Sequence, residues 1–160
     1  MKAVFPGTFD PITKGHLDII ERAVRLFSPL IIGVAVQSNK QPCFSIQERV
    51  SFIEEAVAHL KQVQVQFFDG LLVNWLKSVQ AQVIVRGVRS ALDWEYELNL
   101  WRVNQSLAPE FETVFLSPAS EVNHISSSLV RELLRLNGDA SKFLPPNVWK
   151  KLEHGTKNNR

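Results

Sequence analysis

The stretch Lys2-Ala3-Val4-Phe5-Pro6-Gly7-Thr8-Phe9-Asp10-Pro11-Ile12-Thr13-Lys14-Gly15-His16 opens the chain with a short apolar run, a loop punctuated by proline and glycine, and the start of a helix. Downstream, Leu17, Ile20, Val24 and Phe27 recur at helical spacing until Ser28-Pro29 stops them. The same alternation continues along the chain. It predicts strands at Lys2 to Phe5, Leu30 to Val36, Val63 to Phe68, Gln82 to Val85 and Thr113 to Leu116, nearly all apolar, as strands covered on both faces should be. Between them lie helical segments. Ser45-Ile46-Gln47-Glu48 is a capping box before a stripe of Val50, Ile53, Val57 and Leu60. Asp69 is expected to cap a third helix with Leu72, Trp75, Leu76 and Val79 inward, and Ser90 a fourth reaching Leu107. Ser126 to Ser128 start a fifth, and Pro145-Pro146 a short sixth.

This order predicts an α/β protein: a single Rossmann-like domain over residues 1–152, a five-stranded parallel sheet with helices on both faces. Residues 153–160 read as a disordered tail. Ligands in such sheets bind at the carboxyl ends of the strands, where the strand order reverses, so the residues following each strand are the ones to inspect.

Composition narrows the function classes. Of 160 residues, 45% are hydrophobic and 21% charged, ordinary values for a globular protein. No apolar run approaches the roughly 18 residues of a membrane span, and Pro6-Gly7 interrupts any signal-peptide core, so a cytoplasmic location is expected. A formal charge of +2 with scattered basic residues gives no nucleic-acid footprint. Cys43 is the single cysteine, read as a small residue packed beside Phe44; it excludes an internal disulfide, and no Cys/His cluster has metal-site spacing. His59 and His154 read as surface histidines.

In the first loop, Gly7 and Gly15 permit close backbone approach, Thr8 offers a hydroxyl, and the helix start presents free N–H groups to an anion. Taken alone, this is an ordinary strand-to-helix turn. His16 changes the reading. A protonated imidazole in a first helical turn opposes the dipole, but it makes sense facing phosphate.

Thr13-Lys14-Gly15-His16 resembles the T/H-x-G-H signature of the nucleotidyltransferase superfamily, whose histidine stabilises charge on the transferred α-phosphate. Arg86-Gly87-Val88-Arg89 followed by Asp93-Trp94-Glu95-Tyr96-Glu97 resembles the R-G-x-R-x-x-x-D-[FW]-E-Y-E stretch of the phosphopantetheine adenylyltransferase family. Ser38-Asn39-Lys40-Gln41-Pro42 and Ile125-Ser126-Ser127-Ser128 are similar to two further loops of that family, and the likeness covers nearly the whole chain.

The resemblance implies transfer of the AMP part of ATP to 4′-phosphopantetheine, giving dephospho-coenzyme A and pyrophosphate. It implies catalytic tasks for His16, Thr8, Lys40 and Arg86. ATP contacts fall to Thr8, Phe9, His16, Gly87, Val88, Arg89, Glu97 and the run Val122, Asn123, His124, Ile125, Ser126, Ser127 and Ser128. Thr8, Lys40, Leu72, Arg86 and Asn104 would contact the acceptor. The family often has an aromatic residue where Val122 stands and an apolar one where His124 stands. Magnesium is expected to enter with ATP, no metal being held by the protein, and a homohexamer is expected with Trp94, Leu100, Trp101 and Val103 available for contacts. Two alternatives stay open: a sister enzyme using CTP with glycerol 3-phosphate or ATP with nicotinamide mononucleotide, and a non-catalytic nucleotide-binding protein on the same fold.

Overall fold

A computed structural model describes residues 1–36 and 41–157; Lys40, with the rest of 37–40, lies outside them. Five parallel strands form one sheet in the order β3-β2-β1-β4-β5: β1 (Ala3–Gly7), β2 (Leu30–Ala35), β3 (Val63–Phe68), β4 (Val83–Gly87) and β5 (Glu112–Leu116). The helices are α1 (Lys14–Leu26), α2 (Ile46–Ala56), α3 (Leu72–Ser78), α4 (Ala91–Leu107), α5 (Ser127–Arg135) and α6 (Pro146–Lys157).

Alternation along each central strand divides the core in two. Ala3, Phe5, Leu30, Ile32, Val34, Val83 and Val85 join residues of α1, α2, α5 and α6 on one face. Val4, Ile31 and Ile84 point the other way, where Val73 and Leu76 of α3 meet Ala81, Ala108 and Phe111. Trp75 stacks on Phe68 with ring centroids 4.6 Å apart, and it lies so close to Gly33 that an added Cβ would sit 2.4 Å from its ring.

Several expectations need correction. The strand β3 is an edge strand in which Gln64 and Phe67, on opposite faces, are exposed, so it is not buried on both faces. Asp69 does not cap α3. The N-cap is Leu71, which makes no side-chain capping bond, while Asp69 Oδ1 accepts the N–H of Gly70 at the left-handed turn (φ 82°). The stripe expected on and after α2 is present, with Ile53 and Val57 buried and Val50 and Leu60 packed against the core, while Arg49, Phe52 and Ala56 widen the buried face. Cys43 is exposed. The helix α6 continues through Glu153 to Lys157, into the segment expected to be a tail.

The strand β1 runs through Pro6 to Gly7 instead of stopping at Phe5, and the reason lies in its two neighbours. On the β2 side the ladder is complete, from Ala3 opposite Leu30 to Gly7 opposite Val34. On the β4 side it covers only Ala3 with Val83 and Val4 with Ile84. Proline, lacking an N–H, costs nothing where no ladder bond is required. The strand order reverses between β1 and β4, and past Val4 and Ile84 their backbones are no longer paired, which opens the carboxyl edge of the sheet.

Candidate active site

A cavity of about 290 Å³ opens at this divergence. Pro6 and Gly7 of β1, Arg86 and Gly87 of β4, Gly15, His16 and Ile19 of α1, and Ser126, Ser127 and Ser128 at the start of α5 line it. Arg86 and Gly87 are the last residues of β4, paired with Phe115 and Leu116, and so stand on the sheet, not on the loop that the sequence suggested.

Two close approaches shape the cradle. The ring of Phe9 lies where a Cβ on Gly7 would touch it at 3.0 Å, and a Cβ on Gly15 would meet the carbonyl of Val122 at 3.3 Å. Phe9 itself is buried with a left-handed backbone, φ 48°, a conformation that costs a residue with a side chain about 1–3 kcal/mol. Its ring meets His16 edge-on, with centroids 5.1 Å apart.

His16 is held by the helix it begins. Thr13 is the N-cap of α1: its hydroxyl accepts the His16 N–H at 3.4 Å, and the Thr13 N–H donates to His16 Nδ1 at 3.1 Å. Imidazole thus takes the place that glutamate usually fills in a capping box. Because Nδ1 accepts, the ring proton of the neutral form is on Nε2. Burial of the ring, reinforced by the nearby Arg89 cation, pushes its pKa down to about 4. The histidine expected as a misplaced cation is therefore a neutral donor at physiological pH.

Arg86 spreads its guanidinium over two partners. Its Nε and Nη2 donate to Glu97 at 2.5 and 2.6 Å, and Nη1 donates to the Pro6 carbonyl at 2.8 Å. Arg89 donates through Nε to Asp93 at 3.0 Å and through Nη1 to the Ile125 carbonyl at 3.1 Å, tying the loop after β4 to the entrance of α5. There Ser126 caps α5 by accepting the Leu129 N–H at 3.1 Å, and Ser127 Oγ donates to the Pro11 carbonyl at 2.8 Å.

A second cavity of about 310 Å³ lies beside the first and is mostly apolar, with Leu72, Leu100, Trp101, Val103 and Leu107 in its wall and Asn104 among them. Arg86 and Glu97 belong to the walls of both cavities.

Of the residues singled out in the sequence, Phe9, His16, Arg86, Gly87, Arg89, Glu97, Ile125, Ser126, Ser127 and Ser128 meet in the first cavity. Leu72 and Asn104 meet in the second. Asn123 and His124 line a third, polar hollow with Arg89, Ser90, Asp93 and Ser120. Thr8, Val88 and Val122 are outside these walls; Thr8 is half-buried between two of the lining residues, and the Val88 N–H is bonded to the Leu116 carbonyl. The sequence reading gave no role to Asp93, whose spacing from Arg89 is the signal for their ion pair. Arg49 and Asp10, which no motif in the sequence marks out, are both buried directly behind the cradle.

Residues 4–133 match the family described as cytidylyltransferase-like. The phosphopantetheine adenylyltransferase of Legionella pneumophila (strain Lens) is 49% identical over 152 residues, spanning 95% of this chain and 89% of that protein. That of Thermosynechococcus vestitus is 49% identical over 153 residues, spanning 96% and 91%. The chain belongs to the phosphopantetheine adenylyltransferase family. Among solved structures, a putative nicotinate-nucleotide adenylyltransferase from Vibrio parahaemolyticus superposes with a TM-score of 0.70 over 94% of this chain and 97% of that one. At 18% identity, that likeness speaks for the Rossmann-like fold alone. Membership of the adenylyltransferase family gives a chemical setting to the pair of adjoining cavities. Among the described residues, no helix is long and apolar enough to cross a membrane.

Proposed function

We propose that the chain transfers the adenylyl group of ATP to 4′-phosphopantetheine, and that the two cavities receive the two substrates. The observation that carries this reading is the shared wall: Arg86 faces a polar cavity holding His16 and an apolar one suited to a pantetheine arm. A phosphate seated at Arg86 stands at the boundary, ready to attack into the first cavity. Its oxygen forms a bond to the α-phosphorus of ATP as the bond to the bridging α–β oxygen breaks, and pyrophosphate leaves with that electron pair. The acceptor phosphate is already anionic at neutral pH, so no base is needed and catalysis is positioning plus charge stabilisation.

In this scheme His16 donates its Nε2–H to a non-bridging α-phosphate oxygen. Thr8 is assigned to the same phosphoryl group by family likeness, and Phe9 packs against the imidazole. Arg89, Gly87 and the free N–H groups of α5 at Ser127 and Ser128 receive the β- and γ-phosphates, as a helix start with hydroxyls is suited to do. Leu72 and Asn104 contact the acceptor arm, and Lys40 is assigned to the acceptor phosphate by family likeness. Val88, Val122, Asn123, His124, Ile125 and Ser126 are assigned to ATP by family likeness. Glu97, expected to touch ATP, also holds the fork of Arg86.

Magnesium would come bound to the nucleotide. The carboxylates of the first cavity, Asp93 and Glu97, are both engaged by arginines, and among the described residues no three metal-ligating side chains gather. A cytoplasmic homohexamer completes the proposal, supported by the exposed Leu92, Trp94, Tyr96, Val103 and Leu107 along α4.

Incubation with ATP, magnesium and 4′-phosphopantetheine, followed by mass spectrometry, tests the reading. Dephospho-coenzyme A and pyrophosphate should form, and glycerol 3-phosphate with CTP or nicotinamide mononucleotide with ATP should give none. No product from 4′-phosphopantetheine would sink it.

The depressed pKa of His16 also fixes a pH dependence. Between the ordinary value of 6.5 and about 4, the unfolded chain binds a proton at His16 that the folded chain refuses. Folding stability therefore falls as pH drops through that window and levels off below it. Thermal midpoints recorded from pH 7 to 4 should show this slope, and the His16→Ala variant should show a shallower one.

A further inference from the structure

Arg49 is 2% exposed, the largest fully buried side chain among the described residues. It sits on α2, behind the walls of the first cavity and not among them, and burial pulls its pKa down while Asp10 partly offsets the loss. A guanidinium taken out of water is costly unless every donor is satisfied in good geometry. Among the described residues, three backbone carbonyls accept from its Nε and Nη1. Nη1 donates to Thr8 at 2.8 Å and to Ala35 at 2.9 Å, and Nε donates to Phe44 at 3.1 Å.

The position of those carbonyls gives the arrangement its meaning. The ladder between β1 and β2 ends with Gly7 opposite Val34, so Thr8 and Ala35 are the next residues on each strand. One nitrogen of Arg49 bridges them just where strand pairing stops. Asp10 secures the far side of the same turn: its carboxylate accepts the N–H groups of Cys43 and Phe44 at 2.8 and 2.9 Å, and its carbonyl accepts from Arg131 at 2.8 Å. Between these anchors stands Phe9, whose left-handed backbone is strained and whose ring abuts the imidazole of His16. Strain of this kind persists only where the surroundings impose it.

We infer that Arg49 is a positioning residue for the transfer reaction: by holding the Thr8 carbonyl it fixes the Thr8–Phe9 turn, and through the Phe9 ring it fixes the His16 imidazole. A purely structural arginine would affect folding alone. This inference rests on the proposed role of His16, but its test separates the two, because wild-type turnover tests the reaction and the Arg49 variants test the inference.

Arg49→Lys retains the charge and three donors but loses the planar fork that spans two strands. The full chain carrying it is expected to stay folded, with kcat for dephospho-coenzyme A formation lowered roughly 10–100-fold and KM for ATP within about twofold of wild type. NMR of the His16 ring nitrogens, a readout independent of turnover, should show mixed tautomers in place of a single Nε2–H form. Ile53→Val, in the same helix, provides a packing defect without loss of a carbonyl bond and should leave kcat unchanged. If Arg49→Lys does not fold, Arg49→Gln carries the same two measurements, and partial recovery of kcat on adding guanidinium ion is expected. Wild-type kcat and an unchanged His16 spectrum in a folded Arg49 variant would overturn the inference, as would an equal kcat loss in Ile53→Val.

Discussion

Replacing His16 by alanine is expected to lower kcat by about 10²–10³-fold, equivalent to roughly 2.7–4 kcal/mol of transition-state stabilisation, with KM for ATP almost unchanged. In the proposed scheme the size follows from removing one preorganised donor aimed at developing charge, while Arg89 and the α5 serines, which line the same cavity, remain to receive the phosphates. The fold should survive. The N–H of residue 16 stays capped by the Thr13 hydroxyl, and the lost capping bond is worth only about 0.5–1.5 kcal/mol. His16→Gln separates capping from catalysis, since glutamine completes the box at this position but places its donors elsewhere. It should regain thermal stability without regaining turnover. Pyrophosphate release measured alongside thermal unfolding checks both, and normal turnover in either variant would remove the imidazole from the reaction.

Arg86→Met should do double damage. The carboxylate of Glu97, with its side chain 11% exposed, would be left without its cation, a loss that costs about 3–5 kcal/mol in fully buried pairs and less in this partly exposed one. The acceptor phosphate would lose a charged partner, so KM for 4′-phosphopantetheine should rise roughly 10–100-fold. The two effects come apart in the double variant Arg86→Met/Glu97→Met. Removing the orphaned charge should restore most of the stability measured by urea denaturation, but not the affinity. Stability and affinity recovering together would mean that Arg86 serves the fold and not the substrate.

Much of this arrangement could be read before any coordinates. Central strands such as Leu-Ile-Ile-Gly-Val-Ala announce themselves because both faces are covered, and Ser45 with Glu48 announces a helix start because both partners of the box are local. Edge strands are harder, and Phe67 shows why: an aromatic residue in a strand gives no sign of which neighbour, if any, will cover it. Proline at position 6 suggested a strand end, but the rule fails where one ladder is missing. The imidazole of His16 was visible as a motif but not as a neutral tautomer, since that depends on a backbone N–H three residues earlier. Arg49 carries a signal of its own in the sequence. It shares helical spacing with Phe52, Ile53 and Ala56, and an arginine in an apolar stripe needs buried acceptors; where those acceptors come from is settled by strands distant in the chain.

If the two chambers receive the two substrates as proposed, the guanidinium common to both makes each occupant a modifier of the other. Whichever guest arrives first sets the fork that the second must meet, and linkage requires any resulting gain in affinity to be reciprocal. Order of arrival would then be a matter of kinetics alone, while the free energy of the filled pair belongs to neither compartment by itself.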